Sequence, residues 1–285
     1  MVREFSLLNE KNQKFSFMDI YNYCLLTEPS GLGVSVDIDY AQLGNVFVTN
    51  TKKIAQGQIG GTVNFINYDN YKNLVDFIAR SERLKLLYSI PFEGGTRSYY
   101  RDVNVASLGK TELGNTTGIL SEPIVFDCLS LWYEPKTIRY QMEKGTNQII
   151  WDFEWNSRWI AFNTSNIDFT NDGHVPAAIQ LEIPGEVVNP ELELYLNDEL
   201  IQTISITSQV SVGQTFEYSS KENDFYIKKI LSDGTEQNLF SLDNVDFSQD
   251  LIIRLPQGQT STLKITADTD IESAILTIFV YYKAV

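Results

Sequence analysis

Short runs in which apolar and polar residues alternate recur along this 285-residue chain, and they constrain its fold more than any other feature. The alternation is clear in Val34–Tyr40, Leu84–Tyr88 and Leu192–Leu196. A period of two places alternate side chains on one face of a strand, and branched and aromatic residues pack well on a pleated sheet. The sequence therefore predicts a mainly β fold.

One segment has the period of a helix instead. From Asp69 to Arg80, apolar residues fall at i, i+3, i+4 and i+7, beginning with Tyr71. This spacing places them on one stripe of a helix, and Asp69 or Asn70 is suited to cap its start. We predict one short amphipathic helix.

The distribution of charge predicts two domains. The chain has 22 basic and 37 acidic residues, a net charge of −15. Residues 1–145 hold 15 basic and 16 acidic residues, whereas residues 146–285 hold 7 and 21. We place the boundary in the polar stretch that begins at Asn163, giving a β-rich domain with the helix over residues 1–165. Residues 166–285 form the second domain, in which short strands separated by turn signals predict an antiparallel sandwich.

The composition excludes several functions. An acidic chain repels phosphate, which disfavours nucleic-acid binding. A single histidine, His174, with Cys24 and Cys128 far apart is not compatible with a tetrahedral zinc site, a C-x-x-C pair or a disulfide framework. No apolar run approaches the ~20 residues that cross a bilayer, and no signal-peptide core follows Met1, so we expect synthesis in the cytoplasm without membrane insertion.

Two segments invite a catalytic interpretation and support it weakly. Gly109-Lys110-Thr111 matches the end of a phosphate-binding loop, but the glycine required five positions earlier is Asn104. We interpret the segment as a polar strand end. His174 could serve as a general base, yet no residue near it in sequence would orient it.

Paired carboxylates are the remaining route to catalysis or metal binding. Asp37 with Asp39, and Glu191 with Glu193, share strand faces, while Asp268–Glu272 resembles part of a calcium loop without its glycine and terminal glutamate. Alternation with apolar residues predicts solvated outer faces for the pairs, and a solvated turn for the loop. We predict no catalytic, metal or cofactor site, and no enzymatic activity.

Ile149–Trp155 places alternate aromatic residues on one strand face. A sugar-stacking platform and a buried seam both fit this pattern, and we favour the seam. Asn115 and Asn163 begin glycosylation sequons, which carry no weight without a signal peptide.

Four stretches resemble the distal tail proteins of siphophages, the hub subunits at the tip of long non-contractile tails. Ser30–Asn50, Tyr68–Pro91 and Arg97–Glu134 resemble the N-terminal domain in order and spacing. Thr170–Asn197 resembles the opening of the family's C-terminal galectin-like sandwich.

The resemblance implies a structural virion protein at the distal end of the tail. Its N-terminal domains would form a homo-hexameric ring between the tail tube and the tail-tip fibre or lysin, and DNA would pass through the ring. Receptor-binding and other baseplate proteins are candidate further partners. The second domain is about the size of a bare sandwich, which leaves no room for the inserted arm that grips receptor-binding proteins in some relatives.

Two other functions compete with the structural hub. A carbohydrate-binding module of the tail tip would need an aromatic platform, and the second domain offers tyrosines but no tryptophan. The candidate tyrosines are Tyr195, Tyr218, Tyr226, Tyr281 and Tyr282. A cell-wall hydrolase would need a carboxylate pair that the sequence does not single out.

Overall fold

The computed structural model describes residues 3–19, 24–93, 95–111, 119–141, 157–159 and 166–285. The chain forms two compact units, unit 1 (Met1–Glu134 with Tyr282–Val285) and unit 2 (Pro135–Tyr281). The division at Glu134 lies earlier than the sequence-based boundary between residues 165 and 166. The charge and turn patterns of the sequence locate a change in composition, whereas the boundary between two compact units depends on which strands pack together. The predicted aromatic strand at Ile149–Trp155 and both sequon asparagines lie outside the described residues.

Antiparallel strands and one helix build unit 1. The elements are β1 (Glu4–Asn9), β2 (Lys14–Ser16), β3 (Met18–Asp19), β4 (Cys24–Ser30), β5 (Val36–Leu43), β6 (Val46–Ile54), β7 (Gln58–Phe65), α1 (Tyr68–Ala79), β8 (Leu84–Phe92), β9 (Gly95–Leu108), β10 (Leu120–Cys128) and the start of β11 (Trp132–Gln141). The central strand is β9, which pairs with β8 through its first part and with β10 through its second. Outward from these pairs the order continues as β10-β7-β4-β3 on one side and β8-β1-β2 on the other.

Large side chains from these strands fill the core of unit 1. Trp132 is fully buried, and its ring centroid lies 5.8 Å from that of Tyr88, which stacks in turn on Phe5 at 4.7 Å. Trp132 also donates its indole N–H to the carbonyl oxygen of Leu32 at 3.1 Å. This bond ties the loop that precedes β5 to the core.

The helix lies one residue earlier than predicted. Asn67, and neither Asp69 nor Asn70, is the N-cap: its backbone is extended and its side chain accepts from the Asn70 N–H at 2.9 Å. Leu74 is buried as the periodicity predicts, but Val75 is exposed and Phe77 packs against the core instead. The described part of the chain contains no helix with the length and apolarity that a membrane crossing requires.

Unit 2 consists of antiparallel sheets, apart from a short parallel contact of β11 with β12. Its further strands are β12 (Ser157–Trp159), β13 (Asn166–Thr170), β14 (Ala178–Pro184), β15 (Val187–Val188), β16 (Glu191–Leu196), β17 (Glu199–Ser205), β18 (Gln209–Val210), β19 (Thr215–Ser219), β20 (Tyr226–Ile230), β21 (Glu236–Asn238), β22 (Thr260–Thr266) and β23 (Ser273–Tyr282). One sheet has the order β13-β22-β16-β17, and the strands β21-β20-β19-β14-β23 lie side by side in another. Alternate residues of β14, β16 and β22 are buried. The predicted mainly β fold class is confirmed.

A buried asparagine, Asn171, organises the loop that follows β13. The Asn171 amide donates to the carbonyl oxygens of Val175 at 3.0 Å and Leu255 at 2.9 Å, and its side-chain oxygen accepts from the Gly173 N–H at 2.9 Å. The side chain thereby supplies partners to the Val175 carbonyl and the Gly173 N–H, and it adds a second bond to the Leu255 carbonyl, which also accepts from the Ala177 N–H at 2.9 Å.

We expect Asn171→Ala to lower the free energy of unfolding by about 3 kcal/mol, because each buried polar group left without a partner costs about 1–3 kcal/mol. Urea denaturation at neutral pH measures this difference. Gln249→Ala, at an exposed position, is the matched control and should change the free energy of unfolding by less than about 0.5 kcal/mol. Equal effects of the two substitutions would contradict the role given to Asn171.

Candidate functional site

In the segment that resembles a phosphate-binding loop, the hydrogen-bond donors of Thr111 already bind a carboxylate. The Thr111 N–H lies 2.9 and 2.8 Å from the two carboxylate oxygens of the fully buried Glu122, and the Thr111 hydroxyl donates to the same group at 3.1 Å. The Gly109 N–H donates to the Pro123 carbonyl oxygen at 2.8 Å. Since a phosphate would need these N–H groups, the contacts favour the interpretation as a strand end.

His174, Cys24 and Cys128 take no part in a metal-binding group among the described residues. His174 is exposed, and its backbone N–H donates to the Tyr281 carbonyl oxygen at 2.8 Å. Cys24 and Cys128 are buried and form no disulfide, and burial raises the pKa of Cys128. Over the described ranges, His, Cys, Asp and Glu side chains form no group of three or more that could hold a metal ion.

The acidic candidates of unit 2 form ordinary structural contacts. Glu193 accepts from the Lys264 ammonium at 2.7 Å and from the Tyr195 hydroxyl at 3.0 Å, and the bond from Lys264 lowers the pKa of Glu193. A general acid needs the opposite shift. Glu191 accepts from Ser205 at 2.8 Å, and Asp268 accepts from the Asn189 amide at 2.7 Å.

Asp37 and Asp39 lie on the most unusual element of unit 1, the hairpin of β5 and β6. Among the described strands, β5 and β6 pair only with each other. Every residue of β6 is exposed, as is every residue of β5 except the half-buried Val36. The hairpin therefore buries neither of its faces in the single chain.

Local sequence explains why the hairpin forms. Leu43 pairs with Val46, which leaves Gly44 and Asn45 as a two-residue loop, and Gly44 has a φ of 62°. Glycine at the first central position with positive φ is typical of a type II′ turn, whose twist matches that of the flanking strands.

A bulge bends the middle of the hairpin. Asp39 pairs with Thr51 and Tyr40 with Thr49, so that Asn50 is the extra residue. The Asn50 amide donates to the Asp39 carboxylate at 2.8 Å. Asp39 thus has a structural role at the bulge, which locally increases strand twist.

The base of the hairpin is fixed by a close backbone approach. Gly31 has a φ of 77°, and a Cβ atom at this position would lie 1.8 Å from the Gln58 carbonyl oxygen. Only glycine fits here. Together with the bond from Trp132 to Leu32, this contact holds the chain in place where it leaves the core.

The hairpin exposes a large number of apolar side chains. Phe47 is 68% exposed and Leu43 is 63% exposed. The other exposed apolar side chains of β5 and β6 are Ile38, Tyr40, Val46, Val48 and Ile54. A two-stranded hairpin is marginally stable by itself, and contiguous exposed apolar surface marks an interaction site.

Sequence reasoning missed this surface. The alternation in Val34–Tyr40 correctly indicated a strand, but it implied one buried face. The β6 residues were not singled out, although Gly44-Asn45 between two β-forming runs is a recognised hairpin signal.

The tyrosines proposed for sugar stacking are not equivalent. Tyr218 is fully buried; its hydroxyl donates to the Leu251 carbonyl oxygen at 2.9 Å and accepts from the Ile253 N–H at 3.0 Å. The expectation that Tyr218 could serve as a platform is wrong, because its position in β19 faces the interior. Tyr195 binds Glu193, and Tyr282 packs edge-on against Tyr99 with ring centroids 5.5 Å apart.

Residues 4–129 match the family model described as distal tail protein, N-terminal domain. Two solved structures resemble the whole chain. One is of the phage P2 baseplate in its activated conformation with calcium, at a TM-score of 0.69 with 19% identity and all of both chains covered. The other is the Dit protein of phage SPP1, described as a hub adsorption apparatus of phages that infect Gram-positive hosts. Its TM-score is 0.57 at 12% identity, covering 96% of this chain and 98% of that one.

No curated protein matches the sequence significantly. The family model confirms the resemblance found in the first half of the sequence. At identities below 20%, the two structures show a shared fold that spans both units.

The burial of the Tyr218 phenol should make the free energy of unfolding depend on pH in alkaline solution. Burial raises its pKa above the ordinary value near 10. A pKa that is higher in the folded protein contributes stability that is complete below about pH 10 and is lost as the pH rises further. We expect Tyr218→Phe to lower the free energy of unfolding by about 1–2 kcal/mol at pH 7, because two buried backbone groups lose their partner.

Above pH 10 the stability of the Tyr218→Phe variant should fall less steeply than that of the wild type. Urea midpoints at pH 7, 9 and 10.5 measure both effects, with Tyr40→Phe on the exposed hairpin as the control. Parallel pH dependence in wild type and Tyr218→Phe would show that the phenol is not buried as described.

Proposed function

We propose that this chain, which carries the N-terminal domain of the distal tail protein family in residues 4–129, assembles into a hexameric ring at the distal end of a long non-contractile phage tail. The ring joins the tail tube to the tail-tip fibre or baseplate and leaves an axial passage for DNA. In this proposal the chain is a structural hub subunit of the virion and has no enzymatic role.

The exposed β5–β6 hairpin is the observation that carries the proposal. Each copy presents apolar side chains that its own core does not cover, among them Leu43 and Phe47. In a cyclic ring of more than two copies, every interface joins two different surfaces, so the hairpin of one copy packs on a neighbour. Closure of the ring then covers all the hairpins at once.

The charge of the two units supports a division of roles. Unit 1 contains 13 basic and 15 acidic residues, a net charge of −2, whereas unit 2 contains 9 and 22, a net charge of −13. Six nearly neutral units pack together at little electrostatic cost, while six strongly acidic units repel one another. We therefore assign the ring contacts to unit 1 and the periphery to unit 2.

The same balance suits the passage of DNA. Nucleic-acid affinity depends on Lys and Arg that neutralise phosphates. A passage lined by a near-neutral unit would release DNA without holding it, which is what a transit channel requires.

The carbohydrate-binding alternative has less support. Tyr218 is buried, and the hydroxyl of Tyr195 is bound to Glu193. Glycan binding by the second domain therefore stays a prediction, and neither Tyr218 nor Tyr195 supports it as an aromatic stacking platform.

We expect the double variant Leu43→Ser with Phe47→Ser to lose ring assembly. The wild type should sediment near 195 kDa, six times the 32.5 kDa subunit, and the variant near the mass of the monomer. Each truncation removes about 2 kcal/mol of apolar burial per interface, and two together correspond to several hundredfold in association. Analytical ultracentrifugation and native mass spectrometry measure the masses.

Val212→Ser is the matched control, because Val212 is an 80% exposed apolar side chain in unit 2. It should assemble like the wild type. Because both hairpin positions are exposed in the single subunit, the double variant should keep the wild-type free energy of unfolding to within about 0.5 kcal/mol when both proteins are unfolded as monomers at low concentration. A ring that forms equally well without Leu43 and Phe47 would contradict the role of the hairpin.

A further inference from the structure

A second exposed apolar surface lies on unit 2, far along the chain from the hairpin. Three phenylalanine rings follow one another there: Phe225 and Phe240 have centroids 5.4 Å apart, and Phe240 and Phe247 have centroids 4.8 Å apart. Phe240 is 41% exposed, Phe247 is 43% exposed, and Leu242 between them in sequence is 85% exposed. We call Phe240, Leu242 and Phe247 the 240–247 patch.

The loop that carries the patch is tied down. The Asn244 amide donates to the Thr207 carbonyl oxygen at 2.6 Å, and the Thr207 N–H donates to the Asn244 carbonyl oxygen at 2.8 Å. Ser241 binds the Asn244 side chain at 2.7 Å, and Val245 is buried. The exposure of Leu242 is therefore built into an ordered loop, and an ordered loop loses little entropy when it binds.

The surroundings of the patch are strongly acidic. Residues 230–253 contain five carboxylates and no Lys, Arg or His, although Lys228, Lys229 and Arg254 flank this range and the Lys228 ammonium binds Glu236 at 2.7 Å. All five carboxylates are exposed, and Asp243 and Asp246 lie next in sequence to Leu242 and Phe247. Hydrogen bonds from Ser248 hold the pKa of Asp246 below its ordinary value, which keeps this rim charge in place in mildly acidic solution.

We propose that the 240–247 patch docks a partner protein through a segment that presents an aromatic or aliphatic side chain next to Lys or Arg. The apolar side chain would pack against Phe240, Leu242 and Phe247, and the basic groups would face the carboxylate rim. This proposal is independent of the ring.

The negative charge around the patch favours a basic protein segment over a second copy of the chain, an anionic polymer or a neutral glycan. A second copy would bring another unit of net charge −13 to the same place, and an anionic polymer would be repelled for the same reason. A neutral glycan could donate hydroxyl hydrogen bonds to the carboxylates but would leave their charge uncompensated. A basic amphipathic segment matches both the apolar centre and the acidic rim.

The test uses the full chain and a displayed library of random 12-residue peptides as the probe. Peptides are selected on the wild type after subtraction on the double variant Leu242→Ser with Phe247→Ser. We expect the selected peptides to combine an aromatic or aliphatic residue with at least two Lys or Arg. A synthetic consensus peptide, followed by fluorescence anisotropy, should bind the double variant about tenfold or more weakly than the wild type.

Two control variants separate the apolar and charged contributions. Val212→Ser, at an equally exposed apolar position, should bind the consensus peptide like the wild type. Asp243→Asn with Asp246→Asn should weaken binding severalfold in low salt, and the difference from the wild type should shrink at high salt as charges are screened. Thermal unfolding of each variant verifies that the fold is retained.

Three results would overturn the proposal. The first is selection of peptides without basic residues, or of none above background. The second is unchanged peptide binding by Leu242→Ser with Phe247→Ser. The third is a loss of glycan-array binding or of self-association in that variant without loss of peptide binding, which would assign the patch to a sugar or to a second copy.

Discussion

A two-stranded hairpin has two faces and no core of its own, so the β5–β6 hairpin needs other surfaces to cover its apolar side chains. The core of unit 1 holds the base of the hairpin through the bond from Trp132 to Leu32 and the close approach of Gly31 to Gln58. Beyond that base, β5 and β6 rely on each other and on a type II′ turn. The chain itself does not bury the apolar side chains at the tip, and in the proposed ring a neighbouring copy covers them.

The two units differ in charge and in the exposed surfaces that they offer for assembly. Unit 1 combines near-neutral charge with the exposed hairpin, which suits contacts among identical copies. Unit 2 carries most of the negative charge and has antiparallel sheets that bury alternate residues within the unit. Its 240–247 patch is apolar but surrounded by carboxylates, which suits a basic partner better than another copy of the chain. In the proposed hub, the hairpin closes the ring and the 240–247 patch attaches a partner protein.

Local patterns predicted the mainly β fold and the helix, because alternation and the i, i+4 period follow directly from strand and helix geometry. They failed where tertiary context decides. Val75 fits the helical spacing but is exposed, and Tyr218 is fully buried although its sequence neighbours do not distinguish it from an exposed tyrosine. The hairpin was visible as strands but not as a site, since an exposed strand and a half-buried one share the same alternation. Phe240 and Phe247 lie seven residues apart, and only the fixed loop between them brings their rings together.

A cryo-EM reconstruction of the assembled full-length protein tests the central claim most directly. We expect six copies around an open axis, with residues 36–54 of each copy packed on the next and the acidic units at the outside. Density that leaves this hairpin in solvent, or an assembly held together by unit 2, would contradict it.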